Sequence, residues 1–153
     1  ILPTDIPSMY DRILLPTDGS EGNDRAVGEA IDLAAETEAE LHVLFVVEDL
    51  PYAPEMTEDR LEVHLRGIGE EATEAIRERA EEVGVTVQTA IEEGTPHLEI
   101  LEYVDREAID LVVMGTHGRS GLDKYLLGSV TERVVRTAEV PVLTVRVDGG
   151  AEN

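Results

Sequence analysis

The sequence predicts one α/β domain built on a parallel sheet with helices on both faces. Short apolar runs alternate with amphipathic helical patterns along most of the 153 residues, an order typical of strands joined by crossover helices. The run at residues 41–47 (LHVLFVV) is almost continuously apolar, as expected for a strand that is covered on both faces. The chain length fits a single domain.

The first predicted strand is the apolar run at residues 13–15, and the turn at residues 16–20 (PTDGS) ends it. Ser20 is the expected N-cap of a first helix that continues to about Glu36. Its inward residues recur at intervals of three and four. They are Ala26, Val27, Ala30, Ile31 and Ala34.

The second helix has the clearest periodicity in the chain. It follows the second strand and a loop that contains Pro51 and Pro54, and Gly84 is expected to end it. A third strand is expected at residues 85–91. The apolar positions of the helix are three or four residues apart, and they are Leu61, Leu65, Ile68, Ala72, Ile76, Ala80 and Val83.

The remaining elements complete the alternation. Thr95 is the expected N-cap of a third helix, with Pro96 at its first position. Strand four is expected at residues 111–114, a last helix from about Ser129, and strand five from Val142 to Val147. The inward residues of the two helices are predicted to be Leu98, Leu101, Val104, Val130, Val134 and Val135.

These elements place the domain at residues 9–147. Residues 1–8 precede Met9 and the first strand, so they are interpreted as an N-terminal extension or an artificial remnant. Residues 148–153 are interpreted as a short tail.

The charge of the chain restricts its partners. It has 34 acidic and 12 basic residues, a net charge of −22, so nucleic acid and anionic membranes are not expected partners. Molar salt, where the Debye length is about 3 Å, would screen the repulsion within such a surface. We therefore hypothesise a salt-loving source; the alternative is an ordinary acidic protein.

Other compositional features favour the cytoplasm. No apolar run approaches the roughly 18 residues of a membrane helix, and the first residues lack a signal-peptide pattern. The chain has no cysteine, which excludes disulfides and thiolate metal sites and fits a reducing compartment.

Two segments that follow strands have the composition of a ligand site. One is the PTDGS turn, and the other begins at Gly115 and Gly118, where the backbone can approach an anion with no Cβ in the way. Gly128 and Ser129 then open the last helix, whose amides and dipole favour a phosphate. Hydroxyl donors are expected from Ser129 and Thr131.

The local charge agrees with a phosphate site. Residues 115–137 contain four basic residues (Arg119, Lys124, Arg133, Arg136) and two acidic ones (Asp123, Glu132) in an otherwise acidic chain. The spacing of the glycines is neither that of the Walker loop nor that of the dinucleotide loop. From spacing alone, turn and capping roles are the favoured interpretation of these glycines.

The pattern Gly115-x2-Gly118-x9-Gly128-Ser129 resembles the nucleotide loop of the universal stress protein family. The surrounding segments resemble it as well, at residues 110–122 (DLVVMGTHGRSGL), 127–134 (LGSVTERV) and 140–143 (VPVL), together with the PTDGS turn. The resemblance extends from Met9 to Val147.

The resemblance implies a Rossmann-like five-stranded sheet of order 3-2-1-4-5 and the ATP-binding branch of the family. The first and fourth strands would be neighbours, which places the PTDGS turn beside the glycine loop at the switch point. A divalent ion, Mg²⁺ or Mn²⁺, could bridge the phosphates. Carried over by position, the residues around adenosine and ribose are Pro16, Thr17, Asp18, Val46 (through its backbone to adenine), Met114 and Gly115, and those around the phosphates are Gly118, Arg119, Gly128, Ser129, Val130 and Thr131.

The function predicted on these grounds is that of an ATP-binding regulatory protein of the stress response. Asp18 is a candidate base for the attack of water on ATP, but the sequence offers no nearby group that would activate it; no residue is assigned as catalytic and none as a protein ligand to a metal. The alternatives are a slow ATPase or phosphotransferase and a nucleotide-free interaction module. The resemblance also implies homodimers, formed by pairing of the strands from Val142 to Val147, because an uncovered strand edge invites pairing.

Overall fold

The computed structural model describes residues 9–48, 58–116 and 127–147. Its five strands form one parallel sheet of order β3-β2-β1-β4-β5, which confirms the predicted fold class. The strands are β1 (Arg12–Thr17), β2 (Glu40–Glu48), β3 (Val87–Gly94), β4 (Leu111–Gly115) and β5 (Val142–Val145). The helices are α1 (Asp24–Thr37), α2 (Glu58–Glu81), α3 (Pro96–Arg106) and α4 (Ser129–Thr137).

The two faces of the sheet carry two separate apolar cores. Alternate residues of a strand point to opposite faces, so Ile13 and Leu15 pack with α1 and α2, whereas Leu14 packs with α3 and α4. All three side chains are at most 1% exposed, and a buried aliphatic side chain contributes about 1.5–3 kcal/mol. Helices therefore cover both faces, as the apolar strands predict.

The ends of several elements differ from the prediction. Ser20 is not the N-cap of α1, because a short 3₁₀ turn (Glu21–Asn23) intervenes and Asn23 occupies the cap position. Strand β5 ends at Val145 rather than Val147, since the Val147 amide turns to donate to Thr116 Oγ1 at 3.2 Å. Strand β3 covers residues 87–94 rather than 85–91, because it stays paired with β2 as far as Gly94.

Three residues predicted to face inward are exposed instead: Val83 at 59%, Leu98 at 55% and Val135 at 43%. Val83 lies beyond the end of α2, in the turn that Gly84 closes with a φ of +85°. Leu98 and Val135 lie on the solvent side of α3 and α4, two short helices in which few residues face the core. The inward residues of these helices are Ile100, Tyr103, Val104, Thr131 and Val134.

A buried polar chain links β2 to α3 at the end of the sheet away from the carboxyl ends of the strands. His42 is 3% exposed, and its ring nitrogens lie 2.7 Å from Tyr103 Oη and 2.8 Å from Glu40 Oε1. Burial raises the pKa of Tyr103 to about 12, and the Glu107 carboxylate adds to the effect. The Tyr103 hydroxyl therefore stays protonated and donates a hydrogen bond to His42 Nδ1. His42 Nε2–H in turn donates a hydrogen bond to Glu40.

Glu40 at the end of this chain is held as a carboxylate. Burial by itself would raise its pKa, but hydrogen bonds from His42 and Gln88 and the nearby charges outweigh burial and hold the pKa below its ordinary value. The polar groups of this buried chain are thus mutually satisfied, as buried polar groups require.

Candidate functional site

A cavity of about 510 Å³ opens at the carboxyl ends of β1, β2 and β4 and reaches the start of α4. This is within the range of roughly 300–1,000 Å³ that is usual for small-molecule sites. It lies where β1 and β4 are neighbours, which is the switch point of the sheet. The position is the one at which open parallel sheets bind ligands.

The cavity brings together most of the residues predicted for the site. Gly118 and Arg119 are the exceptions, because they lie outside the described residues. The predicted residues that line the cavity are Pro16, Thr17, Asp18, Val46, Met114, Gly115, Gly128, Ser129, Val130 and Thr131.

Strand β2 extends beyond β1 and presents main-chain groups to the cavity. The ladder between the two strands ends with Thr17 opposite Phe45. Main-chain groups alternate in direction along a strand, so residues an even number of positions apart direct them to the same side. Glu40 N donates towards β1. The Val46 carbonyl, six residues later, therefore also points to the β1 side, but beyond the last paired residue. If the ladder continued, Gly19 N would donate to the Val46 carbonyl. Instead, Gly19 N donates to Thr17 Oγ1 at 3.1 Å. Val46 can therefore accept a hydrogen bond from a ligand.

The turn after β1 is held by side-chain hydrogen bonds. Asp18 Oδ1 accepts from Ser20 N at 2.9 Å and from Asn23 Nδ2 at 3.0 Å. Gly19 takes a φ of +80°, a backbone conformation that glycine adopts without strain. These contacts fix the Asp18 carboxylate at the wall of the cavity.

The end of β4 requires a glycine at residue 115. A Cβ at this position would overlap Asn23 Oδ1 and lie 2.9 Å from a methyl group of Val147. The Gly115 carbonyl accepts the hydroxyl proton of Thr131 at 2.9 Å. Thr131 therefore supports β4, and its hydroxyl donates to Gly115 in this structure rather than into the cavity, where a phosphate donor was predicted.

The start of α4 provides amides rather than side chains. Gly128 is the N-cap, and its own amide donates to Thr116 O at 2.7 Å, so it is not available to a ligand. The first intrahelical bond is made by Glu132 N to Gly128 O, which leaves the amides of Ser129, Val130 and Thr131 without an intrahelical partner. These three residues line the cavity, so the positive end of the helix faces it.

Residues 9–146 match the family model described as the universal stress protein family. The chain belongs to this family. A universal stress protein of Methanocaldococcus jannaschii is 40% identical over 142 residues, which cover 91% of this chain and 84% of the relative. The universal stress protein YxiE of Bacillus subtilis is 33% identical over 148 residues, which cover 90% of this chain and all (100%) of YxiE.

Solved structures of the family have the same fold. The universal stress protein UspA of Lactobacillus plantarum has a TM-score of 0.77 and 31% identity, covering 90% of this chain and 98% of that one. A universal stress protein solved in complex with cAMP has a TM-score of 0.73 and 28% identity, covering 92% of this chain and 100% of that one.

Several residues of the universal stress protein cavity were not predicted from the sequence. Asn23 gave no signal, because an asparagine after a turn is typical of a helix cap. Four of the additional residues lie on β2 on either side of Val46. They could have been predicted, because ligands bind at the carboxyl ends of parallel strands. The additional lining residues are Asn23, Leu44, Phe45, Val47, Glu48, Leu65, Pro96 and Ile100.

Two findings concern metals and membranes. Among residues 9–48, 58–116 and 127–147 of this universal stress protein, no group of three or more His, Cys, Asp and Glu side chains could hold a metal ion. Within the same ranges, no helix is both long and apolar enough to cross a bilayer.

Proposed function

We propose that this universal stress protein binds ATP in the cavity at the switch point and acts in the stress response as a nucleotide-dependent regulator. The observation that carries the proposal is the convergence of the Val46 carbonyl, the Asp18 carboxylate and the first-turn amides of α4 on one cavity. A main-chain acceptor suits the amino group of adenine, and helix-end amides suit phosphate. The complex of a relative with cAMP supports an adenine nucleotide as ligand.

Each end of the nucleotide has a group in the chain that fits it. The adenosine would lie along the ends of β1, β2 and β4, and the phosphates would extend towards Ser129, Val130 and Thr131. Gly118 and Arg119 are proposed to complete the phosphate site. Mg²⁺ or Mn²⁺, bound with the nucleotide, would neutralise phosphate charge in a chain of net charge −22.

The arrangement of the cavity favours binding over rapid hydrolysis. A general base must reach the water that attacks the terminal phosphate, whereas Asp18 is proposed to lie at the ribose, with its Oδ1 engaged by Ser20 N and Asn23 Nδ2. We therefore propose that ATP is held rather than turned over, and that the bound nucleotide acts as a signal.

ATP is expected to raise the melting temperature. An ATP concentration of about 100 times the Kd would add about 2.7 kcal/mol of stability. Thermal melts with ATP and Mg²⁺ or Mn²⁺ in high salt measure the effect. The same samples, assayed for ADP, should stay at the rate without protein. ADP well above that rate would identify a slow ATPase, and melts unchanged by any adenine nucleotide would identify a nucleotide-free module.

We propose a homodimer formed through the edge of β5, the last strand of the sheet. Leu143 on this strand is 37% exposed and Val135 on the adjacent helix is 43% exposed, so the edge is apolar, and β5 pairs only with β4 among the described strands. Light scattering in high salt is expected to give twice the chain mass, and Leu143→Lys is expected to give one chain mass. A monomeric wild-type protein would contradict the proposal.

We also propose that the protein works in a salt-rich cytoplasm. Its 34 acidic residues face 12 basic ones, and at molar salt the Debye length of about 3 Å removes most of the repulsion between exposed charges. The melting temperature is therefore expected to rise continuously as KCl is increased towards molar concentration. A melting temperature that is flat or falls over that range would show that the acidity is not an adaptation to salt.

A further inference from the structure

Asn23 occupies a helix cap but does not use its side chain as a cap. It is the N-cap residue of α1, and no hydrogen bond joins its side chain to the amides of the first turn. Asparagine at this position normally stabilises a helix by accepting such a bond, worth about 1 kcal/mol. Here the side chain is only 8% exposed and lines the cavity, which points to another role.

The side chain of Asn23 joins the two strand ends that form the switch point. Its Nδ2 donates to Asp18 Oδ1 at 3.0 Å and lies 3.5 Å from Ser20 Oγ, both in the turn after β1. Its Oδ1 lies against the Cα of Gly115 at the end of β4. One buried amide therefore fixes the carboxylate of Asp18 relative to β4.

We propose that Asn23 is a positioning residue that orients the Asp18 carboxylate towards the ribose hydroxyls, so that the site selects ribonucleotides over deoxyribonucleotides. The inference rests on the proposed function, which places the ribose between Asp18 and Gly115. Hydroxyl groups are donors, and a hydrogen bond to an ionised carboxylate is stronger than one between neutral groups. Its strength depends on a fixed carboxylate, and Asn23 and Ser20 N supply that fixation through Oδ1.

The variant Asn23→Asp separates this role from packing. The two side chains have the same shape, so the contact with Gly115 is kept, but a carboxylate oxygen replaces the Nδ2 donor beside Asp18 Oδ1. Two carboxylates at this distance repel each other or share a proton, so Asp18 loses either its fixed orientation or part of the negative charge that a ribose hydroxyl would meet.

The experiment compares Kd values for ATP, 2′-deoxy-ATP and 3′-deoxy-ATP by calorimetry in high salt. The wild-type protein is expected to prefer ATP to at least one deoxy analogue by about tenfold or more, the effect of one hydrogen bond to a charged group. In Asn23→Asp this preference is expected to fall to about twofold or less. A merely structural role would weaken the binding of all three nucleotides equally and leave the preference unchanged.

The control is Asp24→Ala, which also perturbs the start of α1. Asp24 is exposed and pairs with Arg79 of α2 at 2.8 Å, so its loss should leave the preference for ATP intact. If Asn23→Asp does not fold, Asn23→Ser removes the same donor with a smaller side chain and carries the same measurement.

Two results overturn the inference while the proposed function stands. One is a wild-type protein that binds ATP and both deoxy analogues equally, and the other is a preference that survives in the Asn23 variants. A wild-type protein that binds no adenine nucleotide overturns the proposed function and the inference together.

Discussion

Replacement of Gly115 by valine is expected to abolish the ATP-induced rise in melting temperature. The added Cβ would overlap Asn23 Oδ1 and approach Val147 Cγ2 at 2.9 Å. Both neighbours are held in place, Asn23 by its hydrogen bond to Asp18 and Val147 by that of its amide to Thr116. Either these side chains or the end of β4 must therefore shift, and both border the proposed nucleotide site. Such overpacking costs about 1–3 kcal/mol of folding stability.

The loss of binding is expected to exceed the loss of stability. Gly115 O also accepts the hydroxyl of Thr131, so a shift of β4 displaces the first turn of α4 and its amides. Displacing several hydrogen-bond donors at once should raise the Kd for ATP by about a hundredfold or more, since each bond to a charged group contributes about 1.5–3 kcal/mol. Calorimetry measures the Kd, and denaturant unfolding measures the stability.

A matched control is Gly67→Ala in α2. A Cβ at Gly67 has nothing within 4 Å, and alanine is about 1 kcal/mol better than glycine inside a helix. This variant should gain stability and bind ATP as the wild type does. A Gly115→Val protein that is folded and binds ATP with unchanged affinity would show that the nucleotide does not lie at the end of β4.

The alternation of strands and helices was predicted correctly from the sequence because it depends on regular patterns. Continuous apolar runs specify strands buried on both faces, and the resemblance at the glycine loop added their order. Residues that repeat at short intervals, such as Ala26 and Ala30 in α1, were placed correctly for the same reason. Periodicity was sufficient wherever an element is long and its inward face is wide.

Long-range contacts decided the features that the sequence did not predict. The start of α1 is set by Asn23, whose partners Asp18 and Gly115 come from two different strand ends. The Gly128 amide and the Thr131 hydroxyl were assigned to phosphate, but the structure uses them to hold Thr116 and Gly115. A donor can be recognised from the residue type, whereas its acceptor depends on which backbone lies beside it after folding.

His42 is another residue whose hydrogen-bond partners could not be predicted from the sequence. The sequence indicates no role for His42, yet it is 3% exposed and both of its ring nitrogens are hydrogen-bonded. Tyr103→Phe removes the hydroxyl that donates to Nδ1 and leaves a buried acceptor without its partner. The free energy of unfolding is expected to fall by about 1–3 kcal/mol, as measured by denaturant unfolding.

A double-mutant cycle with His42→Leu separates this hydrogen bond from general packing. His42→Leu leaves the Tyr103 hydroxyl buried without its acceptor and should cost a similar amount. The double variant removes both polar groups, so it should be more stable than the sum of the single losses predicts, by about 1–2 kcal/mol. Tyr10→Phe is the control, because Tyr10 packs its ring against the core on the opposite face and should change stability little. Strictly additive losses would mean that His42 and Tyr103 contribute independently, and that their contact is not a stabilising hydrogen bond.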